Sequence, residues 1–207
     1  QQRGWIVDYD VREMKRQQGA FSVTPRKGMR VVSLNTDFWY QYNFYAYINS
    51  ANPDFSGMLR FLTDELLDAE KNGDRVWIVG HVLTGWNGKE ALASPTNLFY
   101  QIVSRFAPHT LGAIYFGHTH EDQFEVFYFN DNGNDKSTDQ STENAVSIAY
   151  IAPSITPYQN LNPTFRVYSV HPVTYEIMDY DQNYDSIPTF ADLVKSKATQ
   201  GPGWRRR

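Results

Sequence analysis

The 207-residue sequence contains no cysteine. That excludes a disulfide framework and any thiolate metal site within these residues, and it leaves the compartment open. No apolar run approaches the roughly 20 residues a helix needs to cross a bilayer, and no signal-peptide pattern is visible. A basic excess is also missing: 19 Lys and Arg face 23 Asp and Glu, for a net charge of −4. Nucleic-acid-binding domains usually show the opposite balance, so no nucleic-acid partner is expected. The one basic cluster, Arg205–Arg207, reads as a solvated tail. Histidine is scarce as well, with five in the chain, so each can be weighed separately.

What is present suits a globular α/β protein. Hydrophobic residues make up 41% and charged residues 20%, within the usual range for a packed domain. The length suffices for one domain with a core, or for a large piece of a bigger one. The chain opens on Gln1 and is expected to continue a longer sequence. Aromatics reach 15%; their flat faces and polar edges serve clefts and cores alike.

Along the chain, residues 7–18 read as a short helix stopped by Gly19, and "MRVVSL" reads as a buried strand. The aromatic stretch "NTDFWYQYNFYAYINS" has no clean period and reads as a loop with local turns. Residues 54–72 form the clearest helix, with Phe55, Met58, Leu59, Leu62, Leu66 and Ala69 on one face and Gly73 as its stop. "RVWIVGH" has the continuous apolar character of a strand buried on both faces. A helix over "PTNLFYQIVSRFAPH" and a strand over "LGAIYFGHTH" follow. This helix–strand alternation predicts a layered α/β fold. "DQFEVFYF" and "AVSIAYIAP" read as further strands, separated by the polar loop "NDNGNDKSTDQSTE". "FRVYSVHPVTYEIMDYD" reads as a hairpin turning at His171-Pro172.

Three of the five histidines end strands. His81 closes "RVWIVGH", and His118 and His120 close "LGAIYFGHTH". In open α/β sheets, ligands bind beyond the carboxyl ends of the strands. If the second stretch stays extended, His118 and His120 point the same way. Gly80 and Gly117 precede the two sites and permit tight turns. Neutral imidazole is a common ligand for zinc and related cations. His109, after a helix, and His171, in a hairpin turn, read as structural.

"VGH", a helix and then "YFGHTH" resemble the last two metal-binding motifs of the calcineurin-like metallophosphoesterases. The surrounding residues narrow the likeness. The run from "VVSLNTDFWY" to "VWIVGH", with "FGHTHEDQFEVFY" and "IAPSITPYQNLNPTFRVY", is similar to the acid sphingomyelinase family and its phosphodiesterase relatives. After Gly80-His81 the sequence reads "VLTGWNG", which resembles the fungal branch. The resemblance implies part of a four-layered α/β/β/α sandwich, its mixed sheets flanked by helices. Residues 1–185 would be the C-terminal part of that domain, and residues 186–207 a tail. It implies two Zn2+ ions, with His81 and His118 on one and His120 on the other. The implied chemistry is two-metal hydrolysis of a phosphodiester such as sphingomyelin. Tyr158 matches a tyrosine at the family's substrate cleft, although an ordinary core-edge tyrosine fits the same position. Trp86 and Asn87, in the loop after His81, are expected at the cleft rim. The resemblance further implies secretion or a vacuolar/lysosomal location, and allows contact with a lipid surface.

The family's upstream motifs, Asp-Xaa-His, Gly-Asp-Xaa-Xaa-Asp and Gly-Asn-His, do not occur in these residues. They supply the bridging carboxylate that offsets repulsion between two cations, further ligands, and a histidine for the leaving group. The chain by itself is therefore expected to bind metal weakly and to hydrolyse little. Its sheet is expected to expose an apolar edge. Two other readings stand beside this one. His81, His118 and His120 could together hold a single zinc with an open fourth position. Alternatively, the chain is a truncated, non-catalytic binding module.

Overall fold

The computed structural model describes residues 8–85, 89–129, 140–186 and 205–206. Helix α1 (Asp8–Arg16) leads into strands β1 (Phe21–Arg26) and β2 (Met29–Ser33). Two 3-10 turns, Thr36–Trp39 and Phe44–Tyr47, occupy the aromatic stretch. Helix α2 (Met58–Asn72), strand β3 (Arg75–Val79), helix α3 (Ala93–Phe106) and strand β4 (Leu111–Phe116) follow. Strands β5 (Gln123–Tyr128), β6 (Ala145–Ile151), β7 (Thr164–Val170), β8 (Ile177–Tyr184) and β9 (Arg205–Arg206) complete the order.

Six strands form one sheet in the order β1-β2-β3-β4-β6-β5. β2, β3, β4 and β6 run parallel, so their carboxyl ends share one edge of the molecule. β1 and β5 are antiparallel flanks. β7, β8 and β9 form a second, antiparallel sheet. Helices α2 and α3 cover one face of the larger sheet; Leu62, Leu66, Phe99 and Val103 are fully buried beneath them. The smaller sheet covers the other face. There Tyr168 meets Tyr115 at 5.3 Å and Tyr150 at 5.6 Å between ring centroids, and the Trp77 indole donates to the Tyr175 carbonyl at 2.8 Å. The mixed sheets flanked by helices match the expected fold class as an α/β/β stack. Among the described residues no helix covers the outer face of the smaller sheet.

Helix α2 starts later than its apolar pattern suggested. Gly57, at its head, offers no side chain and has φ 72°. Asp54 replaces the missing cap: its carboxylate accepts from Leu59 N at 3.1 Å and Arg60 N at 2.8 Å, satisfying donors that would otherwise be orphaned. Residues 54–57 are thus a capping turn rather than a helical one. Gly73, left-handed at φ 72°, ends the helix as expected. The predicted hairpin forms between β7 and β8, and His171 Nδ1 stabilises its turn by accepting from Thr174 N at 3.0 Å.

β1 has no counterpart in the sequence reading, and it changes the expected exposed edge. It pairs with β2 as a flank carrying Ser22, Thr24, Pro25 and Arg26. Proline cannot donate to a further strand, so this edge is blunted rather than apolar. Arg205 and Arg206 also differ from a free tail: they pair with β8, and Arg206 Nε donates to Asp181 Oδ1 at 2.7 Å. Among the described residues no helix is long and apolar enough to cross a membrane.

Candidate metal centre

The loops after β2, β3, β4 and β6 meet at the shared carboxyl edge. Gly80 permits the closest approach. A Cβ there would lie 2.7 Å from Thr36 Cγ2 and 2.9 Å from the Phe116 ring, inside any tolerable contact. The space goes to Thr36, which is buried. Its hydroxyl accepts from His81 N at 2.9 Å and Val82 N at 2.7 Å. The His81 backbone is thereby pinned to the loop after β2.

The His118–His120 stretch is not extended. His118 has φ 75° and His120 φ 64°, both in the left-handed region that non-glycine residues enter at a cost. Two such residues separated by Thr119 make a tight turn, held by Thr119 N to Gly117 O at 2.9 Å and Ser154 N to His120 O at 3.3 Å. The turn gives the two rings different neighbours, which corrects the expectation that they point alike. His118 Nδ1 lies 3.3 Å from His81 Nε2. The His120 ring instead meets Tyr158 edge-on at 5.6 Å, and its Nδ1 is buried without a hydrogen-bond partner.

Glu90, Tyr40 and Thr36 complete the surroundings, and none was singled out from the sequence. Glu90 Oε2 lies 2.9 Å from His118 Nε2. Tyr40 stands edge-on to the His118 ring at 4.7 Å. Tyr158 is exposed beside His120 rather than part of the core edge. Trp86 and Asn87 lie outside the described residues. His109 is exposed in the turn after α3.

Burial pushes the His81 imidazole below its ordinary value, and the neighbouring His118 and His120 add to this, while Asp37 opposes it. His81 is therefore neutral near pH 7, the state that ligates cations. The fit to metal can be tested on the His81–His118 pair. Two nitrogens on one tetrahedral zinc, each about 2.0–2.1 Å from it, stand about 3.3 Å apart. The observed 3.3 Å matches that bite, and the orphaned His120 nitrogen is a third donor facing elsewhere. Among the described residues no three His, Asp or Glu groups are grouped to hold one ion. The His120 ring packs against Tyr158, while His81 and His118 face each other.

A second titratable group lies near the His81 turn. Burial pushes the Glu125 carboxyl up to about 7. A Cβ on Gly85 would come within 2.7 Å of Glu125 Oε1, so the glycine lets the turn close on the carboxyl. In an unfolded chain this group ionises near pH 4.3. Between the two values the unfolded state loses its proton first, so stability falls as pH rises from about 4.3 to about 7. Glu125→Gln is expected to change Tm by less than about 1 °C at pH 4 and to raise it by several degrees at pH 8. Thermal melts at both pH values check this; equal shifts would assign the effect to packing instead.

No protein-family model matches the chain. Bovine sphingomyelin phosphodiesterase is 40% identical over 152 residues, covering 73% of this chain and 22% of that protein. Sphingomyelin phosphodiesterase B of Dictyostelium discoideum is 33% identical over 202 residues, covering 97% of this chain and 29% of the relative. Sphingomyelin phosphodiesterase 1 of Caenorhabditis elegans is 31% identical over 190 residues, covering 91% and 30%. The chain thus spans less than a third of the length of these relatives. A dimetal phosphatase from Danio rerio superposes with a TM-score of 0.46 and 10% identity, over 83% of this chain and 56% of that one. Over the matched segment, this chain is a homologue of the sphingomyelin phosphodiesterases.

Proposed function

We propose that these residues form the distal part of a two-zinc phosphodiesterase acting on sphingomyelin, or on a related choline-phosphate diester, to release phosphocholine. The observation that carries this reading is the 3.3 Å separation of His81 Nε2 and His118 Nδ1 at the carboxyl ends of two parallel strands. His81 and His118 would hold one ion and His120 the other. The bound metals would supply Lewis-acid activation of water and neutralise charge on the phosphoryl oxygens. Thr36 holds the His81 backbone in place, and the left-handed turn at 118–120 separates the two donor positions. Tyr158, exposed beside His120, would meet the substrate. The bridging carboxylate and remaining ligands would come from outside these 207 residues, which agrees with the greater length of the relatives. Residues 1–185 would belong to that domain and residues 186–207 to its tail, whose Arg205–Arg206 returns to pair with β8. A secreted or vacuolar/lysosomal setting is part of the proposal.

The test is hydrolysis of sphingomyelin and of a chromogenic phosphodiester by the full-length protein, with and without chelator. Activity should vanish with chelation and return with Zn2+, and His81→Ala should lower kcat/KM by about 1,000-fold or more, equivalent to about 4 kcal/mol. Hydrolysis that survives chelation would sink the metal mechanism. Cleavage of the chromogenic diester alone would keep the mechanism and reject the lipid substrate.

A further inference from the structure

The His118 ring is gripped from several sides, and the grip is asymmetric. One nitrogen, Nδ1, faces His81 at 3.3 Å. The other, Nε2, meets Glu90 Oε2 at 2.9 Å. Tyr40 stands edge-on to the ring at 4.7 Å. Glu90 is itself anchored: its carbonyl accepts from Gln41 N at 2.9 Å, the Gln41 side chain bonds the Lys89 carbonyl, and Tyr40 bridges to Ala91. Tyr40 and Glu90 thus reach His118 from two chain segments that are fastened to each other.

A carboxylate can only accept from a neutral imidazole N–H. Glu90 therefore favours the His118 tautomer protonated at Nε2, and that tautomer leaves Nδ1 with its lone pair facing His81. We propose that Glu90 is a positioning residue for the candidate metal centre: it sets the His118 tautomer and ring angle so that Nδ1 is presented beside His81 Nε2. In the metal-free chain the same network is completed by a proton on His81 Nε2 donated to His118 Nδ1. With that proton gone, His81 Nε2 and His118 Nδ1 would together be free to hold a cation. The arrangement has the logic of a carboxylate–histidine–metal relay, in which the outer carboxylate raises the basicity of the ligand and fixes its orientation. The inference rests on the proposed assignment of His81 and His118 to one ion, and it adds a residue on a different loop.

Two readouts separate the inference from that assignment: imidazole spectra of the 207-residue chain and zinc affinity of the full-length protein. Long-range 1H–15N spectra of the imidazole rings in the metal-free chain report the His118 tautomer directly. Nε2–H is expected in the wild type and in Glu90→Gln, whose amide oxygen still accepts, and a mixture is expected in Glu90→Ala. Zinc titration by competition with a chromophoric chelator reports affinity. Glu90→Ala should weaken binding by about 10- to 100-fold, and Glu90→Gln by less. His81→Ala serves as the control for the site itself. Zinc binding that His81→Ala leaves unchanged would reject the assignment of the pair, whatever Glu90 does. A wild-type His118 protonated at Nδ1 would overturn the inference, as would a folded Glu90→Ala with unchanged tautomer and affinity. Should Glu90→Ala fail to fold, the wild-type tautomer and the Glu90→Gln affinity still decide.

Discussion

Replacing Phe99 with alanine is expected to destabilise the chain by about 3–5 kcal/mol. Phe99 is fully buried on α3. Its ring lies 5.4 Å from Trp39, 5.9 Å from Phe116 and 6.0 Å from Phe127. These partners come from the loop after β2, from β4 and from β5, so the ring joins three elements. Truncation removes the transfer energy of the phenyl group and opens a cavity whose walls belong to different segments. Chemical denaturation should show the full loss, with Tm lowered by roughly 10 °C or more. Phe99→Leu, which keeps most of the volume, should cost about 1–1.5 kcal/mol. A loss below about 1 kcal/mol for the alanine variant would show that the cluster closes over the gap. The change also reaches the candidate site, because Trp39 precedes Tyr40, which stands against His118. Looser rings there should broaden the His118 imidazole resonance.

Arg30→Met is the second large effect, about 3 kcal/mol at pH 7. The guanidinium lies on β2 with its side chain almost covered, and it reaches Glu65 at 2.9 Å, Asp68 at 2.7 Å and Asp74 at 3.2 Å. Methionine matches much of the volume but leaves three carboxylates facing one another without a cation. The figure sits at the lower end of the range for broken buried pairs, because Asp68 is half exposed and partly screened. Hydrogen bonding from Arg30 is the main cause holding the Asp68 carboxyl below its ordinary value. A depressed folded value means that this stabilisation is present above about pH 3.9 and disappears as pH falls through the folded value. The deficit of Arg30→Met should therefore be largest at neutral pH and shrink below about pH 4. Denaturation curves at pH 7 and pH 3.5 check the trend. Equal deficits would show that Arg30 acts through packing of its stem, and adding Glu65→Gln with Asp74→Asn should then restore nothing.

Much of the fold was legible because local chemistry encodes it. The apolar positions of α2 recur at helical spacing, and Met58, Leu59, Leu62, Leu66 and Ala69 are buried, together with Phe61, which lies outside that pattern. Continuous apolar runs marked β3 and β4 as central strands, since both faces of such strands are covered. The start of α2 was misjudged because Asp54 caps it from four residues upstream, a contact that apolar periodicity does not carry. β1 was missed because Pro25 argues against a central strand, and its edge position became visible only once β2 was paired.

The site divides in the same way. Sequence alone placed three histidines at strand ends and, through its resemblance, assigned them to two positions. Those features depend on neighbours in the chain. Tertiary structure decided the rest, because it depends on residues far apart in sequence: Thr36 reaches His81 across 45 positions, His118 reaches His81 across 37, and Glu90 reaches His118 across 28. No local period predicts such meetings. They follow from parallel strands that deliver their carboxyl ends to one edge, and from a left-handed turn that sends His118 and His120 to different partners.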